Sequence, residues 1–190
     1  MKLDVFIVGV GGQGVLTIAE IISQTALAKG ISCNYYPTKG MAQRGGFVKA
    51  QLRLGDVDGG PDISLGGADV VIAMEQCEAL KAIDYLKPDG DMIVYGSKFM
   101  PTDVMIGRAD YPSAELVEKE ARKRTKNYCY LDTSLLPAGA ADNIFLLSAA
   151  HKKTALKSLF SAQELESAVH ARFAKGVERN TVSFAGGQNV

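Results

Sequence analysis

The sequence offers no net charge to a polyanion, because 21 Lys and Arg are matched by 21 Asp and Glu. Without a global positive field nothing holds a nucleic acid backbone or an anionic membrane surface, and neither partner is expected. Cysteine is scarce. Cys33, Cys77 and Cys129 stand far apart, an odd set that makes neither a disulfide framework nor the paired spacings of zinc or iron–sulfur ligands. Each reads as a small buried hydrophobe, and no metal site is expected. No apolar stretch approaches the roughly 20 residues of a membrane span. Residues 1–4 run into an apolar strand without a basic leader, which predicts a soluble, cytoplasmic protein. His151 and His170, the only histidines, have no Cys, Ser or Asp neighbour at the spacing of a nucleophile and its base. No catalytic residue is expected in the chain.

What is present is an alternation of strand and helix over 190 residues, a length that suits one domain. Leu3–Gly9 is a short β-branched run, and Val15–Lys29 sets Leu16, Ala19, Ile22, Ala26 and Leu27 at helical spacing, closed by Gly30. Ile31–Tyr36 resumes a strand pattern, completing a first βαβ unit. Phe47–Leu54 alternates as a half-buried strand, Ala68–Ala73 is a short buried one, and a helix is predicted over about 75–85. Lys87–Asp91 reads as a Pro-Asp-Gly turn before the strand Met92–Tyr95. A charged helix over 115–126 and the strand Tyr128–Leu131 follow; Asp132–Ser134 offer N-cap oxygens to an apolar helix from about Leu135. Ser161 with Glu164 forms a capping-box pattern for a helix over 161–175, whose Leu165, Val169 and Phe173 are expected to pack on the sheet. The expected fold is α/β and Rossmann-like: a mostly parallel sheet with helices on both faces, in a single domain.

Two loops break this regular pattern. Gly9-Val10-Gly11-Gly12-Gln13-Gly14 satisfies G-x-G-x-x-G between a strand and a helix. There the backbone N–H groups of the helix start converge, and glycines let a phosphate approach. The same glycines also serve a tight turn with no ligand. A dinucleotide site needs a carboxylate about 20 residues on, yet no acidic residue occurs between Glu20 and Asp56; Lys39 offers a cation instead. The second loop, Gly40-Met41-Ala42-Gln43-Arg44-Gly45-Gly46, joins a planar guanidinium to conformationally free glycines. It suits phosphate or carboxylate recognition and equally an Arg paired with a surface carboxylate.

GVGGQGV at 9–15, GMAQRGG at 40–46 and FAKGVERNTVSFAGG at 173–187 together resemble the gamma-type domain of the pyruvate/2-oxoacid:ferredoxin oxidoreductases. The resemblance covers essentially all of 1–190, as a pyruvate/ketoisovalerate oxidoreductase gamma-type catalytic domain. The Met-x-Gln-Arg-Gly-Gly form of the second loop is most similar to the beta subunit of indolepyruvate ferredoxin oxidoreductase. Leu147-Ser148-Ala149 departs from the Leu-Gly-Ala common in that family.

The resemblance implies oxidative decarboxylation of a 2-oxoacid, with indolepyruvate favoured, in a complex using thiamine diphosphate, Mg2+, iron–sulfur clusters and coenzyme A, with electrons passing to ferredoxin. The chain has no GDG-to-NN thiamine diphosphate signature and no cysteine cluster motif. The resemblance therefore assigns those cofactors to a large partner subunit. Within such a complex Gly9, Gly11, Gly12, Gln13 and Gly14, faced by Lys39, Gln43, Arg44, Gly45 and Gly46, are the candidates for holding coenzyme A or for docking the partner. Asn143 and Asn180 match asparagines of the family, with a structural role first. The alternative is a stand-alone nucleotide-binding module, NADP-linked or regulatory.

Overall fold

The computed structural model describes residues 2–39, 45–56 and 59–190. The chain runs β1 (Lys2–Val10), α1 (Val15–Ala28), β2 (Cys33–Lys39), β3 (Phe47–Gly55), β4 (Ala68–Ala73), α2 (Gln76–Ala82) and β5 (Leu86–Tyr95). It continues α3 (Thr102–Met105), α4 (Ala114–Arg122), β6 (Tyr128–Leu131), α5 (Asp142–Lys153), α6 (Ala162–Arg172) and α7 (Val177–Asn189), with single 3-10 turns at Ile83–Tyr85, Thr133–Leu135 and Ala155–Ser158. Six strands form one sheet in the order β2-β3-β1-β4-β5-β6. The β1-β4, β4-β5 and β5-β6 pairs are parallel, while β3 is antiparallel to both its neighbours.

β1 is buried from Leu3 to Val10 and alternates between two cores, as a central strand covered on both faces must. Val5 and Ile7 join Leu52, Val70, Ile72 and Ile93 on the face covered by α1 and α5, through residues such as Ile18, Ile22 and Phe145. Phe6 and Val8 join Val71, Ala73, Met92 and Val94 on the opposite face, under Ala79 of α2 and Val117 and Ala121 of α4. The expected helices on both faces of a mostly parallel sheet are found.

α1 ends in a Schellman arrangement: Ile31 N–H donates to Ala26 O (2.9 Å) and Gly30 N–H to Leu27 O (3.0 Å), with Gly30 at φ +71°. The capping box at Ser161 and Glu164 is present in both directions. α5 and α7 lie in close contact. Ser148, at the departure from Leu-Gly-Ala, is fully buried there; its hydroxyl donates to Phe184 O (2.5 Å) and accepts from Gln188 Nε2 (3.0 Å). The hydroxyl is thus satisfied and ties the two helices.

Five expectations need correction. The first βαβ unit is split, because β3 lies between β1 and β2. β2 is an edge strand and includes Pro37, a position that needs no inward N–H. Leu27, at helical spacing, is 61% exposed, since the buried face of α1 is drawn instead through Val15, Ile18, Ile21, Ile22 and Thr25. Lys87–Asp91 is an excursion within β5: Leu86 and Asp91 pair with Ala68 and Val70 of β4, so extra residues bulge out with Asp89 at φ +59°. Asp132 caps only the short 3-10 turn at Thr133–Leu135; Pro137 then disfavours helix at the residue before it, and the long helix starts at Asp142. Finally, α6 packs on α1, α5 and α7 rather than on the sheet, and Phe173 lies beyond its last turn.

Candidate functional site

The glycine turn stands at the carboxyl end of β1, where chain connections depart to opposite faces of the sheet, α1 to one and, from neighbouring β4, α2 to the other. Such crevices are the usual ligand position of open α/β sheets. Gly14 is the N-cap of α1 at φ +86°, and a Cβ there would meet Asn143 Nδ2 at 2.4 Å. Gly14→Ala combines a left-handed backbone with that collision. It is expected to cost about 2–3 kcal/mol in urea unfolding; a cost under ~0.5 kcal/mol would contradict the close approach of the turn to α5.

Gln13 turns inward. Its Oε1 accepts from Val10 N–H (2.9 Å), while its Nε2 donates to Ser97 Oγ (2.9 Å) and Met74 O (3.3 Å). One side chain thus bridges the ends of β1, β4 and β5. Gly9 lies beneath it, where a Cβ would come within 2.8 Å of Gln13 Oε1 and of Met74 Cβ.

The two predicted loops meet. Gly11 N–H donates to Gly46 O (2.8 Å) and Gly45 N–H reaches toward Gly11 O (3.5 Å), extending the β1-β3 ladder beyond the strands. Gly45, at φ +74°, carries the Phe99 ring against its Cα, where a Cβ would lie 2.6 Å from Cζ. Gln43 and Arg44 lie outside the described residues, as does the side chain of Lys39, whose backbone pairs with Val48.

Phe99 is held by Glu75, a carboxylate only 1% exposed. Glu75 Oε2 caps α2 by accepting from Glu78 N–H (2.8 Å), and Oε1 accepts from Phe99 N–H (3.0 Å) and from the Tyr111 hydroxyl. Burial first, then the bond to Glu75 and its charge, pushes the Tyr111 phenol above its ordinary range. A raised folded pKa means this contribution to stability is complete below the unfolded value of about 10 and is lost as pH rises past it. Tyr111→Phe should therefore flatten the fall in denaturation midpoint between about pH 9 and 11; parallel curves for both proteins would count against it.

Beside the glycine turn opens a cleft of about 390 Å³. Gly12, Gln13, Gly14 and Thr17 form one wall; Asp142 and Asn143 at the start of α5, and Lys175, Arg179 and Asn180 around the start of α7, form the rest. Lys175, Arg179 and Thr17 were not singled out by sequence, where isolated charges near a helix start read as a solvated face. The tail motif containing Lys175 and Arg179 was the available signal.

Both histidines are occupied elsewhere. His151 Nε2 bonds Phe160 O (2.9 Å) and His170 Nε2 bonds Thr181 Oγ1 (3.0 Å). Burial pushes the thiols of Cys33, Cys77 and Cys129 up, away from the thiolate needed for ligation or attack. Among the described residues no group of three or more His, Cys, Asp or Glu is placed to hold a metal ion. No helix among them is long and apolar enough to cross a membrane.

Residues 4–189 match the family described as pyruvate ferredoxin/flavodoxin oxidoreductase. The chain belongs to that family. Family members similar in sequence are the indolepyruvate oxidoreductase subunits IorB of Archaeoglobus fulgidus, 43% identical over 66% of this chain and 62% of its own length, and of Pyrococcus horikoshii, 39% identical over 62% and 58%. The matched stretch thus spans about three fifths of those relatives. Among solved structures, the pyruvate oxidoreductase subunit PORC of Thermotoga maritima superposes with a TM-score of 0.70 at 19% identity, covering 99% of this chain and 96% of that one. The 2-oxoglutarate:ferredoxin oxidoreductase of Magnetococcus marinus, solved with 2-oxoglutarate, coenzyme A and succinyl-CoA, gives 0.69 at 16% identity, over 99% of this chain and 30% of that one. At these identities the pyruvate ferredoxin/flavodoxin oxidoreductase structures establish the shared fold.

Proposed function

We propose that this chain is the small, cluster-free subunit of a cytoplasmic 2-oxoacid:ferredoxin oxidoreductase that favours indolepyruvate and related aryl pyruvates. The observation that carries the reading is the junction of the two glycine loops. Gly11 and Gly46 are bonded at the carboxyl end of β1, beside a cleft of exposed cations and helix starts. That arrangement suits binding and docking. In this reading the 2-oxoacid loses CO2 and is oxidised on a large partner subunit that carries thiamine diphosphate and the clusters. Electrons leave to ferredoxin, and the acyl group passes to coenzyme A. This chain contributes the surface that positions coenzyme A: the N–H groups of Gly12 and Gly14 lie at the start of α1, where a phosphate is favoured, and Arg44 supplies a guanidinium. The similarity to IorB subunits supports the indolepyruvate preference. No observation favours a stand-alone NADP-linked or regulatory module.

The test is to purify the tagged chain from its native source and assay what accompanies it. A brown partner that reduces ferredoxin with indolepyruvate supports the proposal, and a colourless protein without a partner overturns it. In the assembled enzyme Arg44→Ala is expected to weaken the coenzyme A-dependent step about tenfold or more, the effect of removing one charged hydrogen bond. Release of CO2 should change far less; an unaltered coenzyme A dependence would refute the role.

A further inference from the structure

Between β5 and α4 the chain makes a long excursion over residues 97–112. Its tip adds nothing to the core: α3 has no buried residue, and Met100, Met105 and Ile106 are exposed. Its base, by contrast, is clasped. Gln76, fully buried, donates its N–H to Ser97 O (3.1 Å) and its Nε2 to Pro112 O (2.6 Å), so one residue holds both ends. Glu75 beside it accepts from Phe99 N–H (3.0 Å) and from the Tyr111 hydroxyl, whose oxygen also accepts from Cys77 N–H (3.3 Å). A buried carboxylate holds such donors firmly, because losing one leaves charge unpaired away from water. Compact surface loops with ends this close are frequently functional.

That base touches both glycine loops. Ser97 Oγ accepts from Gln13 Nε2 (2.9 Å), and the Phe99 ring lies against Gly45, with Cζ 2.6 Å and Cε1 2.8 Å from where a Cβ would stand. On its other side Gly45 faces Gly11, whose N–H donates to Gly46 O (2.8 Å). The Gly45 backbone is thus enclosed between the first glycine turn and an aromatic ring, at a φ of +74° that glycine alone adopts readily. Phe99 is 46% exposed, so its ring covers the backbone of another loop without being part of the core. Its own backbone is fixed through the N–H on Glu75, and the place of the ring does not depend on the exposed tip.

We infer that Phe99 is a positioning residue: the clasped base of the 97–112 excursion sets its ring, and the ring holds Gly45 against the first glycine turn. Losing half the burial of one aromatic side chain changes a local opening equilibrium about tenfold. The residue joined to Gly45 is Arg44, for which a contact with coenzyme A is proposed above. The functional consequence, that Phe99 fixes the point from which that guanidinium departs, rests on that reading. The hold of the ring on Gly45 does not.

The first experiment is limited trypsin digestion of the full chain, with cleavage of the Arg44–Gly45 bond followed by mass spectrometry. Phe99→Ala should speed that cut about tenfold at an unchanged melting temperature, since cleavage follows the population in which Gly45 is released. Phe99→Met, which keeps an apolar side chain of similar reach, should restore most of the protection. Met105→Ala, at the exposed tip of the same excursion, should leave the rate unaltered. Equal cutting of the wild type and Phe99→Ala overturns the inference. In the assembled enzyme Phe99→Ala should raise KM for coenzyme A about tenfold while kcat stays within about twofold, a split that general loosening would not produce. If Arg44→Ala raises that KM and Phe99→Ala does not, the positioning role is refuted. If neither does while trypsin still separates the variants, the coenzyme A reading fails and the hold of Phe99 on Gly45 stands.

Discussion

Phe145→Ala is expected to lower the unfolding free energy by about 4 kcal/mol. The side chain is fully buried, meets Tyr95 of β5 edge-on at 6.2 Å between ring centroids and backs onto α7, where a Cβ on Gly186 would stand 3.4 Å from its Cδ2. It is therefore the wedge between the sheet and the last helix. Truncation removes the ring's burial and leaves a cavity that cannot collapse without moving α5, which explains an effect at the upper end of large-to-small substitutions. Against a total of roughly 5–15 kcal/mol, that is a large fraction. The check is urea unfolding, with a lower midpoint at an unchanged slope. A loss under ~1.5 kcal/mol would show that α5 is loosely packed.

Gly187→Leu should be comparably damaging for the opposite reason. A Cβ at Gly187 would lie 2.3 Å from Phe145 O, 2.6 Å from Ser148 Cβ and 2.8 Å from Ala149 N, and two of those atoms are backbone. The substitution forces α7 off α5, at a cost of about 3 kcal/mol or more, read as a fall of roughly 6–12 °C in Tm for a domain of this size. Gly60→Ala is the control, since a Cβ there meets nothing within 4 Å, and its effect should stay within about 0.5 kcal/mol. Phe145→Ala and Gly187→Leu act on one contact, so their effects should not add.

The sequence was most legible where the cause of structure is local. β4 and β6 have the limits that their apolar runs predict, and Ser161 with Glu164 marks the start of α6 because a capping box is closed within four residues. Non-local pairing was illegible. Nothing in Phe47–Gly55 says that it will separate β1 from β2, and Pro-Asp-Gly at 88–90 has turn chemistry that the flanking residues override by continuing to pair with β4. The same division runs through the site. The glycine loops could be found by composition, but the bond joining Gly11 to Gly46, the inward turn of Gln13 and the approach of Lys175 and Arg179 to Gly14 depend on segments far apart in the chain. Gln13 illustrates the reason well: a polar side chain in a glycine turn looks like a ligand-binding group until its partners, Met74 and Ser97, are in place.

The insertion of β3 between β1 and β2 also bears on the order in which the protein can acquire its structure. Lys2 pairs with Gly55, and Val5 with both Leu52 and Val70. As the chain leaves the ribosome, the first strand, the first helix and the second strand emerge with no ladder to join, and β1 stays unpaired until about fifty further residues have appeared. Helix α1 can form early by its own hydrogen bonds, but the sheet must close over long stretches of chain, which slows folding. During that interval the apolar run from Leu3 to Val10 is the segment most in need of protection from other chains.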